Sequence, residues 1–124
     1  MATERSVKAL VEGTGSRLDA HGLALYRACV ADSAHVEGAL TMMAQWRLDG
    51  LRERLERIAT PTLFLVGAGD RAVPPETAAR AAERMPDARV EPLEGLGHLA
   101  HEEAPETVAA RIDGFLQDVT ARGG

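Results

Sequence analysis

The chain contains a single cysteine, Cys29, so no disulfide can form within it, and that fits a reducing compartment. Aromatic residues are only 3% of the 124 residues, which leaves aliphatic side chains and alanine to fill the interior. No apolar stretch approaches the roughly 18 residues of a membrane span. The opening residues "MATERSVKALVEG" lack the apolar segment of a signal peptide. Basic residues are the minority charge, 14 Lys and Arg against 19 Asp and Glu, and the net charge of −5 argues against a nucleic-acid partner. The remaining composition is globular, 45% hydrophobic and 27% charged, with the length of one ordinary domain and a modest core. These features predict a soluble, cytoplasmic protein.

The first half reads as helices. Ser6 to Glu12 places Val7, Leu10 and Val11 on one face and stops at "GTGS", Gly13 to Ser16, where two glycines favour a turn. That turn has neither the ending of a phosphate loop nor a serine flanked as in a nucleophile elbow, so Ser16 is not expected to be catalytic. Gly22 to Ala31 presents Leu23, Tyr26 and Val30 at helical spacing, with Cys29 expected as a packed small side chain among them. Asp32 and Ser33 are natural N-caps for a third helix, Ala34 to Trp46, striped with Val36, Leu40, Met43 and Trp46. After the break at Asp49 and Gly50, "LRERLERI" turns Leu51, Leu55 and Ile58 to one side, until Pro61 ends the helix.

The second half changes period. Thr62 to Val66 is a near-continuous apolar run, the pattern of a strand covered on both faces in a parallel sheet. A helix beginning at Pro75 should turn Ala78, Ala79, Ala82 and Met85 inward and end at Pro86. "ARVEPLEG" supplies a second strand, weakened by Pro92, which lacks a ladder donor. The last helix should run from Pro105 to about Thr120 on Val108, Ile112, Phe115, Leu116 and Val119, with "ARGG" as a frayed tail. The expected order is four helices, then strand, helix, strand, helix.

Two loops follow the strands, and each offers one group suited to proton chemistry. "GAGDRAVP", Gly67 to Pro74, carries Asp70, and "GLGHLAHEEAP", Gly95 to Pro105, carries His98. This pair resembles the C-terminal part of α/β-hydrolases, where G-x-x-D-x-x-x-P bears the acid of a catalytic triad and G-x-G-H its base. The resemblance implies an α/β fold: a lid over residues 1–50, then the closing β-α-β-α portion over 51–124, helix-rich with a minimal parallel sheet. More narrowly, the stretch from "GTGSRLDAHGLALYRACV" to "TMMAQWRLDGL", with the two loops, resembles the magnesium chelatase accessory proteins of bacteriochlorophyll synthesis. A triad needs a carboxylate to orient an imidazole and steady the imidazolium formed when the nucleophile loses its proton. The resemblance gives Asp70 and His98 those two roles.

The third member is absent, because no G-x-S-x-G elbow occurs in these residues. In the family the elbow, the oxyanion loop and the earlier strands would precede Met1. The chain is therefore expected to be a fragment, a truncated gene product or a degenerate descendant, inactive by itself. Its few strands should leave an open sheet edge prone to self-association. An alternative reading makes it an accessory or binding module, with Met42, Met43 and Trp46 meeting a porphyrin-type ligand or a chelatase subunit. A third is a structural domain that has lost its chemistry. His98, His101, Glu102 and Glu103 form a dense run of metal-ligand types, but H-x-x-H alone matches no common zinc pattern, and neither metal nor cofactor is expected. Glu102 and Glu103 should be solvated or favour the N-terminus of the last helix.

Overall fold

The apolar run does form a strand. In the computed structural model, which describes residues 3–123, β1 (Thr62–Gly67) pairs in parallel with β2 (Ala88–Leu93), with Thr62 opposite Ala88 and Gly67 opposite Leu93. Pro92 is tolerated for a positional reason. Amides on the β1 side bond the carbonyls of Asp87 and Leu93, so the odd-numbered residues of β2 face β1. Pro92 turns its nitrogen to the open edge, where no donor is needed.

Among the described residues four helices precede the sheet: α1 (Glu4–Gly13), α2 (Ala20–Ala31), α3 (Ser33–Ala44) and α4 (Leu51–Arg54), the last continuing as a 3-10 turn over Leu55–Arg57. Their starts are set by side-chain caps. The Thr3 hydroxyl accepts from the Ser6 amide, Asp19 from Gly22, and Asp32 from Ala34 and His35. α5 (Glu76–Ala82) joins the strands. It begins after Pro75, one residue later than expected, and ends before Pro86 is reached. After β2 a short α6 (Ala100–Glu103), not anticipated, leads into α7 (Pro105–Arg122). α7 takes in two residues of the expected tail, whose final Gly124 lies outside the described residues.

The buried side chains lie close to the loops. Leu93, Ala100 and Val108 form one apolar cluster, joined by half-buried Leu65 and Leu96, and Val7 and Val11 are buried on α1. Several expected core positions are not buried. Leu10 is exposed because Val7 and Val11, one turn apart, define the inner face of α1 and Leu10 falls to its side. Val30, Leu40, Met43 and Trp46 are exposed, and so is Cys29, expected as a packed side chain. α2 and α3 pack on each other and α2 on α1, and much of their remaining surface is exposed. Ile112 and Leu116 of the α7 stripe are likewise exposed.

Three glycine-bearing turns approach one another backbone to backbone. A β-carbon on Gly67 would overlap the Gly97 carbonyl, one on Gly97 would overlap Gly15, and one on Gly15 would overlap the Gly69 carbonyl. Main-chain atoms cannot swing aside as a side chain can. Gly67→Ala should therefore destabilise the chain by about 3 kcal/mol. Gly114→Ala, in α7 with open space around its β-carbon, should stabilise it by about 0.5–1 kcal/mol. Thermal or denaturant melts of the two variants check the opposite signs.

Candidate active site

The first loop leaves β1 in a tight turn. The Ala68 amide donates to the Leu93 carbonyl, Gly69 to Leu96 at 2.8 Å, and Asp70 back to Gly67 at 3.0 Å. The Asp70 side chain is then used twice. Its Oδ1 accepts from the amides of Ala72 and Val73, both at 2.8 Å. Its Oδ2 lies 2.9 Å from Nδ1 of His98. The turn-forming use of an aspartate and its pairing with a base thus coexist, one carboxylate oxygen for each.

The carboxylate is sequestered and the imidazole is not: the side chains are 9% and 39% exposed. Burial alone would raise the Asp70 pKa. The Val73 amide, the His98 ring and the Ala72 amide outweigh it and hold the carboxyl below its ordinary value of 3.8. An ionised Asp70 accepts hydrogen bonds only, so its contact selects the His98 tautomer with hydrogen on Nδ1 and leaves Nε2 free to take a proton. Asp70 and His98 sit on a cavity of 290 Å³ whose other walls include Leu65, Val73, Leu93 and Val108.

The His98 loop is held from a side that the sequence did not suggest. Ser16 is fully buried, and its Oγ accepts from the Leu99 amide at 2.7 Å. Glu103 spans two turns, one oxygen accepting from the Arg17 amide and the other from the Gly97 amide, each at 2.8 Å. The Thr14 carbonyl accepts from the Arg71 amide at 3.0 Å, which ties the same "GTGS" turn to the acid loop. Glu102 accepts from the Tyr26 hydroxyl at 2.6 Å. Burial, then that carboxylate, pushes the Tyr26 pKa up to about 12. Glu102 and Glu103, expected to be solvated or to favour the N-terminus of the last helix, are both engaged: Glu103 anchors two turns, and Glu102, although exposed, accepts from Tyr26. The available signal was the repetition of closely spaced glycines at 13 and 15, 67 and 69, and 95 and 97. Gly15, Gly67 and Gly97, one from each pair, sit at the close approaches that bring these turns together.

The dense run of ligand types does not converge. His98 faces Asp70, Glu103 is taken by two amides, and His101 lies 3.6 Å from a Glu102 already engaged by Tyr26. Among the described residues no three His, Cys, Asp or Glu side chains gather as a metal site, and no helix is long and apolar enough to cross a membrane.

A parallel β-α-β-α unit with an aspartate after the first strand and a histidine after the second fits an α/β-hydrolase fold. Residues 5–111 match the alpha/beta hydrolase family, and the chain belongs to it. It is 41% identical over 116 residues to the magnesium-chelatase 30 kDa subunit of Rhodobacter capsulatus, a match covering 94% of this chain and 40% of that one. It also superposes with a TM-score of 0.73 and 25% identity on the crystal structure of a serine hydrolase involved in carbazole degradation, over 93% of this chain and 47% of that one. The chain spans less than half the length of either protein.

The depressed Asp70 pKa sets a sign for acid stability. The ionised carboxylate stabilises the fold fully above the unfolded value near 3.8, and that contribution is lost as pH falls from there through the lower folded value. Asp70→Asn should remove this part of the acid-limb slope. Denaturation midpoints of both proteins between neutral pH and pH 2 check it. Parallel acid limbs would contradict the assignment.

Proposed function

We propose that these residues are the acid and base half of a hydrolase-type triad, with Asp70 as the orienting carboxylate and His98 as the general base. The observation that carries this reading is the 2.9 Å contact between Asp70 Oδ2 and His98 Nδ1, made while Asp70 Oδ1 is pinned by two amides. The arrangement leaves Nε2 to deprotonate a nucleophile and Asp70 to stabilise the imidazolium that results. The nucleophile is supplied from outside these 124 residues, and 1–50 act as the lid over 51–124. The 41% identity to a magnesium-chelatase subunit supports work alongside magnesium chelatase, in bacteriochlorophyll synthesis, with a chelatase subunit as partner. The free edges of the two-stranded sheet are available to a further strand, either from the rest of such a fold or from a second copy.

By itself the chain should hydrolyse an activated ester no faster than its His98→Ala variant. Without a positioned nucleophile there is no acyl-enzyme route. Stopped-flow measurement with a nitrophenyl ester tests this, and a burst removed by substituting Ser16, Ser33 or Cys29 would overturn it.

A second reading is favoured by one observation, the exposure of Met42, Met43 and Trp46 along and just beyond α3. In this reading the helices are a binding surface for a porphyrin-type ligand. Adding a magnesium porphyrin should then quench Trp46 emission and shift the Soret band, and neither change should survive Met42→Lys with Met43→Lys. Unchanged spectra at saturating porphyrin would rule the surface out as that site.

A further inference from the structure

The acid–base pair is local to two loops, yet the base loop and the short helix after it make two polar contacts with residues far away in the chain. Ser16 is 83 residues from Leu99 in the chain and Arg17 is 86 from Glu103. Both belong to the turn between α1 and α2. The Leu99 amide belongs to the peptide unit that follows His98, and the Gly97 amide to the Leu96–Gly97 unit, one removed on the other side. The backbone is thus fixed on both sides of the imidazole by two side chains, the Ser16 hydroxyl and the Glu103 carboxylate.

We propose that Ser16 and Glu103 are positioning residues for His98, acting as a clamp that sets the imidazole against Asp70. The inference rests on the acid–base reading above and deepens it by naming what holds the base. Three features support it. Ser16 has no exposed surface, so its hydroxyl has no water to compete for the Leu99 amide. Glu103 uses both oxygens on backbone amides, one on each side of the seam between the "GTGS" turn and the base loop. The glycines at 15 and 97 let those backbones meet closely enough for a hydroxyl as short as serine's to reach. The His98 loop carries Gly95 at φ +75 and Gly97 and is free to pivot without such anchors. A pivot at His98 would carry Nδ1 out of hydrogen-bond reach of Oδ2 while the Asx turn kept Asp70 in place.

The clamp also makes the turn before α2 part of the site. Tyr26, two turns into α2, donates to Glu102, the neighbour of Glu103. The turn before α2 and the second turn of α2 are therefore each fastened to α6, and one of these two points sets the base while the other does not. That difference supplies an internal control.

The test is the His98 Nδ1 proton followed by nitrogen-15 NMR on the full chain, together with its exchange with water. In the unsubstituted protein it should be protected, shifted downfield and abolished by Asp70→Asn. Ser16→Ala and Glu103→Gln should each speed its exchange by about tenfold or more, with circular dichroism unchanged. Glu102→Gln, which removes a carboxylate from the same short helix but keeps an acceptor for Tyr26, should leave it within about twofold. Should the Ser16 variant not fold, Glu103→Gln carries the comparison at a less buried position. A further measurement needs no variant: the amides of Gly97 and Leu99 should open at the same rate as the His98 ring proton. A ring proton that is protected yet unmoved by both substitutions, or that stays protected while those amides exchange freely, overturns the clamp and leaves the acid–base pair standing. An unprotected ring proton indifferent to Asp70→Asn overturns the acid–base reading itself, and the clamp with it.

Discussion

The close approach of three main-chain turns is the constraint on which the rest of this structure depends. The turn at Gly15, the exit of β1 at Gly67 and Gly69, and the base loop at Gly97 meet with no room for a β-carbon between them. Because they meet, the hydroxyl of Ser16 and the carboxylate of Glu103 can reach amides in a neighbouring turn, and the acid and base loops share a border. The bonds to the Leu99 and Gly97 amides satisfy partly buried backbone groups that would otherwise lack a partner. With so small a buried apolar cluster, such polar seams carry an unusual share of the specificity of the arrangement.

The division between rigid and open surfaces follows from the same constraint. The short strands, the turns that leave them and the start of α7 enclose the buried residues Leu93, Ala100 and Val108. α2 and α3 stand outside this cluster, capped properly at their N-termini but bare along much of their length, with Leu25, Leu40, Met42 and Trp46 exposed. Burial of apolar area, not propensity, supplies most helix stability in a protein. The helical hairpin is thus held chiefly where α2 meets α1 and through the Tyr26–Glu102 and Arg17–Glu103 bonds.

The acid illustrates how a single side chain reconciles structure with chemistry. One oxygen of Asp70 closes its own loop and the other engages His98. The loop holds the carboxylate through two amides that do not involve His98, and the imidazole is oriented by that held group. Electrostatics agree with the geometry. The donors around Asp70 overcome the cost of burying it, so the charged form is the one the fold selects.

Much of this was legible in the residues because it is local. The apolar run "TLFLV", the caps Asp19 and Asp32, the proline that opens α7 and the G-x-x-D and G-x-G-H loops each depend on a few neighbouring residues, and their spacing alone fixes strand, helix or turn. The identity of the two residues that meet was legible through the resemblance of the paired loops to those of α/β-hydrolases. What holds them was not. Ser16 looked like an ordinary turn serine and Glu103 like a solvated acid, because their partners lie in other turns and no periodicity relates them. The exposed Cys29, Leu40 and Trp46 misled in the opposite direction: helical spacing states which side chains share a face, but only packing against another element decides whether that face is covered. Local residue patterns specified every helix and strand but α6, and the chemical types at the ends of the strands. The tertiary structure decided which face was buried and which distant hydroxyl and carboxylate hold the base, because both depend on contacts between segments far apart in the chain.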